Sequence, residues 1–218
     1  MTVKIPTDWT FKSGDVAEGF DSHVREQLPW YDLMAGATAH IVRHYLPEGG
    51  TVFDVGGSTG NLGKLLEPVL DSRKATYLPV DNAPEMAAVY SGPGELLIED
   101  VRTMEIPEHD VAVLFLVLMF IEPRLRRDLI QKIQDQTRSG GIIIMVDKLE
   151  AIGGYLGTVM ARLTLAGKKA SGCSGDEIIA KELSLAGVQR PVTFAELGHT
   201  QEVFRFGEFF GCVREVRR

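Results

Sequence analysis

Three aspartates in the first half of the chain each follow a short, mostly apolar run. They are Asp54 in TVFD, Asp81 in YLPVD and Asp100 in LLIED. Parallel strands place their carboxyl ends at one edge of a sheet, where open α/β folds bind ligands. We therefore predict a nucleoside site in which Asp81 binds the ribose hydroxyls and Asp100 accepts from the adenine amino group. A single aspartate there is also typical of a helix cap or turn, but three successive strand ends favour a ligand.

A glycine-rich loop after the first of these runs indicates which ligand approaches the backbone. Its predicted contacts are Gly56, Gly57, Ser58 and Gly60. No Ser or Thr follows Lys64 as a phosphate-binding P-loop requires, and the G-x-G-x-x-G dinucleotide spacing is matched only loosely. A carboxylate just before the loop would repel a diphosphate, whereas it attracts the ammonium and sulfonium groups of S-adenosylmethionine. The loop therefore favours that cofactor, and we include Asp54 among its binding residues.

The composition limits the classes of substrate and partner. The chain has 218 residues and a net charge of −7, and its basic clusters RLRRD and AGKKA are short. Phosphate neutralisation drives much of nucleic-acid binding, so the charge favours a small-molecule substrate without excluding RNA. Two cysteines make no disulfide framework, and neither an export signal nor a membrane span is expected, so we predict a cytoplasmic protein. His40 and His44 have no evident third ligand, and no metal site is predicted.

Alternating apolar runs and amphipathic segments predict the fold. Residues 16–46 are expected to be helical, and strands and helices then alternate up to IIIMVD, as in a doubly wound, mostly parallel α/β sheet. Residues 151–190 break this alternation and predict a helical insertion. The tail TQEVFRFGEFFGCVREV predicts two antiparallel strands. We expect one domain, 1–218, with an N-terminal helical cap at 1–47.

Several motifs resemble a known family, the carboxy-S-adenosylmethionine synthases, which have the class I methyltransferase fold and act in tRNA wobble-uridine modification. The motifs are DWTF, VAEGF, LPWY, DVGGSTG, VDNAPEM, EDVR, FIEP and SGGIIIMVDK. The resemblance implies a seven-stranded Rossmann-like sheet, a homodimer, and S-adenosylmethionine or a derivative such as S-adenosylhomocysteine or carboxy-S-adenosylmethionine. It also implies cofactor contacts at the glycine loop and at further positions: Tyr31, Asp81, Asn82, Asp100 and Val101.

Two positions depart from the family pattern where the transferred group would lie. The family's carboxylate-binding arginine aligns with Glu182, and its fourth-strand asparagine aligns with Phe115. Like charges repel in a partly dry pocket, so Glu182 cannot bind a carboxylate at neutral pH. Lys181 and Arg190 are the two candidate replacements. The cofactor half of the family site is kept, whereas the half specific to the carboxymethyl group is altered.

Three functions follow from these observations. The first is an S-adenosylmethionine-dependent methyltransferase on a small molecule or RNA such as tRNA, with no catalytic residue assigned. The second is a carboxy-S-adenosylmethionine synthase that uses prephenate and has a rearranged carboxylate site. The third is a non-catalytic module that binds the cofactor and a partner. The ligand that co-purifies with the protein separates the first two, and a search for methyl acceptors separates the third.

Overall fold

The computed structural model describes residues 5–151 and 153–217. The first four residues of the predicted cap lie outside the described residues, as do Ile152 of the predicted insertion and Arg218. The helices within these ranges are α1 Gly14–Gln27, α2 Tyr31–Tyr45, α3 Asn61–Arg73, α4 Pro84–Ala87, α5 Pro123–Gln136, α6 Tyr155–Ala170, α7 Gly175–Ser184 and α8 Phe194–Leu197.

One sheet of seven strands forms the centre of the structure. Its strands are β1 Thr51–Val55, β2 Thr76–Asp81, β3 Leu97–Ile98, β4 His109–Phe115, β5 Thr137–Lys148, β6 Gln201–Phe206 and β7 Phe209–Glu215. They are arranged in the order β3-β2-β1-β4-β5-β7-β6. Strands β1 to β5 run parallel to one another, and β7 runs antiparallel to both β5 and β6. The predicted seven-stranded, mostly parallel sheet is confirmed.

Helices cover both faces of the sheet, which explains why its central strands are mostly apolar. On one face, α2 and α3 pack on side chains such as Val52, Val111 and Ile144. On the other face, α5 packs on Phe53 and Ala112, among others. Parallel strands covered on both sides need apolar side chains in both directions, so the run DVAVLF forms β4 at the centre of the sheet. The direction of connection reverses between β1 and β4, which creates a crevice at their carboxyl ends.

The range 16–46, predicted to be helical, consists of two helices separated by residues 28–30. Pro29 lacks a backbone N–H and disfavours helical geometry at the residue before it. Leu28 accordingly leaves helical geometry, with φ −138° and ψ 80°. The turn separates α1 from α2, and side chains of α1 line the crevice at the strand ends.

Two other boundaries differ from the sequence prediction. The third strand is only two residues long and ends at Ile98, so Asp100 lies in the turn beyond it. Gly140 and Gly141, which follow the amphipathic segment PRLRRDLIQKIQDQ, are typical of a helix end, but α5 already stops at Gln136 and both glycines lie within β5. The register between β4 and β5 shifts there, and a Cβ at Gly141 would overlap the backbone of Asp110. These glycines therefore accommodate an irregularity of the sheet.

The helical insertion predicted before the last strands is confirmed by α6 and α7. Helix α7 starts with a capping box, in which the Ser174 hydroxyl accepts from the Glu177 N–H and the Glu177 carboxylate accepts from the Ser174 N–H. Its other end reaches the N-terminal segment, where the Trp9 N–H donates to the Ser184 carbonyl at 2.9 Å. Through this contact the insertion and the N-terminal region enclose the crevice together. The single-domain organisation and the bounds 1–47 and 151–190 remain predictions.

Candidate functional site

A cavity of about 290 Å³ lies at the carboxyl ends of β1, β2 and β4. Helices α1 and α7 and the N-terminal segment form its outer wall. Its lining divides into an acidic side at the strand ends and a side that carries lysines. Many of the side chains between them are aromatic: Trp9, Phe11, Phe20, Tyr31, Phe115, Phe120 and Phe209. A concave, mostly apolar cavity with a few polar groups is the usual form of a small-molecule site.

The glycine loop forms one edge of the cavity and brings backbone close to its interior. The N–H groups of Gly56 and Gly57 both donate to the Val80 carbonyl, at 2.8 and 3.0 Å. Gly56 has a φ of +77°, which favours glycine, and a Cβ there would lie 2.6 Å from Val117. A Cβ at Gly57 would lie 2.9 Å from Pro79. Both glycines are therefore required by the close approach of β2 and of the segment after β4.

Asp81 links the end of β2 to this loop. Its Oδ2 accepts from the Ser58 N–H at 3.0 Å, and its Oδ1 accepts from the Ala83 N–H at 2.9 Å. Burial raises the pKa of the carboxyl, and the backbone donors at Ala83, Ser58 and Asn82 oppose that shift. A carboxylate offers about four acceptor positions, so these contacts leave Asp81 capacity to bind a diol. Asn82 lines the cavity beside it.

Asp54 is almost fully buried at the end of β1, with 2% of its surface exposed. Its Oδ2 accepts a hydrogen bond from the Tyr77 hydroxyl. Burial raises the pKa of the carboxyl to about 7, while the hydrogen bond from Tyr77 lowers it. The charge predicted at Asp54 is thus only partly formed near neutral pH, and a nearby cation would stabilise it.

Asp100 and Val101 lie on the cavity wall in the turn after β3. Asp100 pairs with Arg102, with Nη2 and Oδ2 2.6 Å apart. The hydrogen bond from Arg102 lowers the pKa of Asp100, so this carboxylate is ionised. Val101 is buried and supplies an apolar surface beside the pair. The pairing with Arg102 was not evident from the sequence. It occupies the Asp100 oxygens that were predicted to accept a hydrogen bond from the adenine amino group.

Tyr31 begins α2 and lies under the cavity with 7% of its surface exposed. Its ring packs edge-on against Phe115, with the ring centres 5.5 Å apart. Burial raises the pKa of the phenol to about 12, so it remains a neutral hydrogen-bonding group. Phe115 therefore occupies the place of the family asparagine as part of an aromatic wall.

Gly60 is the exception among the predicted cofactor contacts, because it is not among the described residues that line the cavity. It caps α3 with a φ of +86°. A Cβ there would overlap the backbone of Gly92 and lie 3.0 Å from the Tyr90 ring. Its glycine is explained by packing against the segment after α4. The structure brings the other nine predicted positions together on the cavity wall: Tyr31, Asp54, Gly56, Gly57, Ser58, Asp81, Asn82, Asp100 and Val101.

The opposite side of the cavity carries the residues aligned with, or next to, the family arginine in the resemblance stated from the sequence. Glu182 accepts from Lys168, with Nζ and Oε1 2.6 Å apart, and this charge lowers the pKa of Glu182 despite the larger opposing effect of burial. Lys181 points to the same cavity and is buried. Arg190 is exposed and does not contribute to the described lining. Of the two candidate replacements, the structure therefore places Lys181 at the site.

Helix α1 adds residues to the cavity that were not among the predicted site residues. His23 and Gln27 lie one helical turn apart and both line it. Asp21 holds the helix over the glycine loop, since its Oδ1 accepts from Thr59 Oγ1 at 2.6 Å and from Asn61 Nδ2 at 2.7 Å. The i, i+4 spacing of His23 and Gln27 on a helix was the available signal. Only the turn at Pro29 shows that this face meets the cavity.

No cluster of three or more His, Cys, Asp or Glu side chains suited to a metal ion occurs within the described ranges. Across residues 5–151 and 153–217, no helix is long and apolar enough to cross a membrane.

Comparison with known proteins agrees with this arrangement. A carboxy-S-adenosyl-L-methionine synthase of Staphylococcus epidermidis is 29% identical over 88% of this chain and 86% of its own length. One from Shewanella denitrificans is 27% identical over 94% of this chain and 89% of its own length. The chain resembles carboxy-S-adenosylmethionine synthases over most of its length. The resemblance stated from the motifs is thereby confirmed, although no protein-family profile matches the chain.

Solved structures confirm the fold class. Human N-acetylserotonin methyltransferase in complex with S-adenosylmethionine superposes with a TM-score of 0.61 at 15% identity, covering 95% of this chain and 58% of that one. A Methanococcus maripaludis protein proposed to be an S-adenosyl-L-methionine-dependent methyltransferase superposes with a TM-score of 0.56 at 14% identity, covering 99% of this chain and 98% of that one. At such identities the likeness concerns the fold, which is that of class I methyltransferases.

Proposed function

We propose that the chain is an S-adenosylmethionine-dependent transferase, and that it transfers a methyl group to a small molecule or an RNA. The observation that carries the proposal is the link between Asp81 and the N–H of Ser58 at the ends of β2 and β1. It places a carboxylate and a glycine loop together at the crevice where the strand order reverses. A carboxylate beside a glycine loop fits a nucleoside with a positively charged tail and no phosphate.

The residues of the acidic wall have distinct roles in this proposal. Asp81 binds the ribose hydroxyls, and Asn82, Asp100 and Val101 border the adenine. The loop residues Gly56, Gly57 and Ser58 present backbone to the rest of the nucleoside, with Tyr31 closing the wall from α2. Asp54 lies beneath the loop, where a cationic ligand stabilises its ionised form. The bound cofactor supplies an activated methyl group, so the chain's own task is to align an acceptor and exclude water.

Mass spectrometry of the small molecule that co-purifies with the protein tests this proposal. We expect S-adenosylmethionine or S-adenosylhomocysteine at close to one molecule per chain in wild-type protein. Asp81→Ala removes the proposed ribose acceptor and is expected to lose the ligand. Glu99→Ala changes an acid of the same wall that has no role in the proposal, and it serves as the control. A nucleotide with a diphosphate in the wild-type preparation would refute the proposal.

Carboxy-S-adenosylmethionine synthesis is the second candidate. The names of the relatives support it, and so does the position of Lys181 on the cavity wall. The pairing of Glu182 with Lys168 and the aromatic Phe115 weigh against it. The same mass spectra decide between the two, because a carboxylated cofactor in place of S-adenosylmethionine would favour the second candidate.

We also propose a homodimer, as the family resemblance implies. Apolar side chains on α6 and α7 that are at least 45% exposed support a contact surface there: Tyr155, Leu156, Leu163, Leu165, Ile179 and Leu183. Sedimentation velocity tests this, and Leu183→Asp is expected to yield monomers, whereas Leu33→Asp, an exposed apolar position on α2, is expected to leave the dimer intact. Wild-type protein that sediments as a monomer would refute the homodimer. A tRNA acceptor and a cytoplasmic location remain predictions.

A further inference from the structure

Two buried polar atoms on α1 lack a hydrogen-bond partner within the part of the chain that the structure describes. They are His23 Nε2 and Gln27 Oε1. Both residues line the cavity, and His23 has only 6% of its surface exposed. Buried polar atoms are nearly always paired, and an unpaired one destabilises the fold. Within the described residues Trp30 Nε1 and Glu85 Oε2 are unpaired as well, but only His23 and Gln27 among the four residues line the cavity, where a bound molecule can reach them.

Lys181 on α7 lines the same cavity and lies near His23, since its charge helps to lower the pKa of that imidazole. It is 7% exposed, and its amine lies against the Trp9 ring. None of the ion pairs among the described residues includes it, whereas Lys168 is paired with Glu182 at 2.6 Å. Lys181 is thus a buried amine on the cavity wall that makes no direct ion pair with a carboxylate among the described residues.

The charges around Lys181 come from each element that packs near it. Lys168 on α6 and burial both lower the pKa of Lys181, to about 6, while Glu182 raises it. Lys148 on β5 lies 3.9 Å from Glu208, which offsets its charge. Glu177 on α7 lies close enough to raise the pKa of His23. Burial and the charge of Lys168 thus favour the neutral amine of Lys181, while Glu182 and the contact with the Trp9 ring favour its charged form.

We propose that His23, Gln27 and Lys181 bind the acceptor substrate, which is a protic nucleophile such as an alcohol, a phenol or an amine, and that Lys181 is the general base. This inference rests on the proposed methyl transfer. Gln27 Oε1 accepts a hydrogen bond from the acceptor, and His23 Nε2 makes a second one. The aromatic side chains between the two sides of the cavity enclose the acceptor's apolar part.

The proposed step balances in atoms, electrons and charge. The bond between the acceptor's oxygen or nitrogen and the methyl carbon forms as the bond between sulfur and that carbon breaks. The electron pair of the broken bond stays on sulfur, and the acceptor's proton goes to Lys181 Nζ. One positive charge disappears at sulfur while one appears on the amine, so the net charge of the cavity is unchanged.

Lys181 suits the role of base better than His23 does. Burial lowers the pKa of the His23 imidazole to about 4, with Lys181 contributing to that shift. A proton acceptor is most effective when its pKa lies near the working pH. His23 is therefore a neutral hydrogen-bonding group, and the stronger base of the pair is the lysine.

Methyl transfer to surrogate acceptors tests the assignment, with phenol, catechol and ethanolamine as probes and methyl-labelled S-adenosylmethionine as donor. We expect kcat/KM in the wild type to rise with pH to a plateau above about pH 7. Lys181→Met and Lys181→Arg should both lower kcat/KM by about 10²- to 10⁴-fold. The affinity for S-adenosylhomocysteine should stay within about threefold of the wild type. Lys169→Met, an exposed lysine of α6, is the control and should be unchanged.

The arginine variant separates a base from a positive charge that binds an anion. If Lys181→Arg keeps wild-type activity, the charge is what matters, the acceptor is an anion, and the inference is overturned. If no protic probe accepts a methyl group although the protein binds S-adenosylhomocysteine, the inference fails while the proposed function stands. If neither cofactor form binds, the proposed function itself fails.

A second readout needs no turnover. In protein labelled with ¹³C at the lysine Cε, one resonance that is missing from Lys181→Met should titrate with a pKa of about 6. A resonance for Lys181 that titrates near the ordinary value for lysine would overturn the inference.

Discussion

Replacing Asp21 by alanine should release α1 from the glycine loop. One oxygen of this carboxylate accepts from both Thr59 Oγ1 and Asn61 Nδ2, at 2.6 and 2.7 Å. These contacts connect the middle of α1 to the start of α3. Since α1 carries His23 and Gln27 into the cavity, the expected effect is local opening of the helix while the sheet stays intact.

The magnitude follows from the two hydrogen bonds that Asp21 accepts. A hydrogen bond to a charged group contributes about 1.5–3 kcal/mol, and a neutral one about 1 kcal/mol. Asp21 is half-buried, so solvent weakens both bonds toward the lower values. Together they contribute about 2–3 kcal/mol, which corresponds to a change of about 30- to 150-fold in the opening equilibrium.

Hydrogen exchange of the α1 amides measures this opening directly. In Asp21→Ala, the protected amides of α1 should exchange about 30- to 150-fold faster, with those of β4 and β5 unchanged. Asp21→Asn keeps an acceptor oxygen in place and should accelerate exchange less than about fivefold. If the α1 amides of Asp21→Ala exchange at the wild-type rate, the contacts of Asp21 do not hold the helix, and the reasoning is refuted.

Three further perturbations test the packing around the site. Arg126→Met removes a fully buried guanidinium that donates to three backbone carbonyls and to Glu196. The variant should lower the free energy of unfolding by about 3–5 kcal/mol and Tm by about 6–20 °C. Arg127→Met, at an exposed position, is the control and should shift Tm by under about 2 °C. Burial raises the pKa of Asp147 to about 7, so the contribution of this carboxyl to stability is fully present below about pH 4 and is lost as the pH rises through 7. In urea unfolding, Asp147→Asn should therefore gain stability relative to the wild type as the pH rises from about 4 to about 7, and a difference that does not depend on pH would contradict this. Gly60→Ala should reduce soluble yield and Tm, because its Cβ would overlap Gly92; wild-type Tm by calorimetry would show that the loop accommodates the methyl group.

The sheet and its acidic edge could be predicted from the sequence because they depend on short-range patterns. Strand periodicity and the position of Asp81 at the end of an apolar run are visible in one segment at a time. The glycine loop was predictable for the same reason, since Gly56 and Gly57 must approach backbone closely. Those signals placed six cofactor-binding candidates on one cavity wall, and the family resemblance supplied the other three, Tyr31, Asn82 and Val101.

The remaining features depend on contacts between segments that are distant in sequence. Lys181 is buried against the cavity whereas Glu182 pairs with Lys168, because the rotation of α7 about its axis turns the two side chains in different directions. An alignment that is wrong by one residue exchanges these two positions. Gly60 resembles its neighbouring glycines in sequence, but its function is to pack against Gly92. The unpaired atom of Gln27 becomes significant only where side chains of α1 line the crevice at the strand ends.

Isothermal titration of the purified protein with S-adenosylmethionine and S-adenosylhomocysteine tests the central claim most directly. We predict that both bind at one site per chain and that Asp81→Ala weakens both. NADH and ATP, which carry phosphates, should give no heat of binding at the same concentrations. Binding of either nucleotide, together with no binding of the sulfonium compound or its demethylated product, would contradict the account.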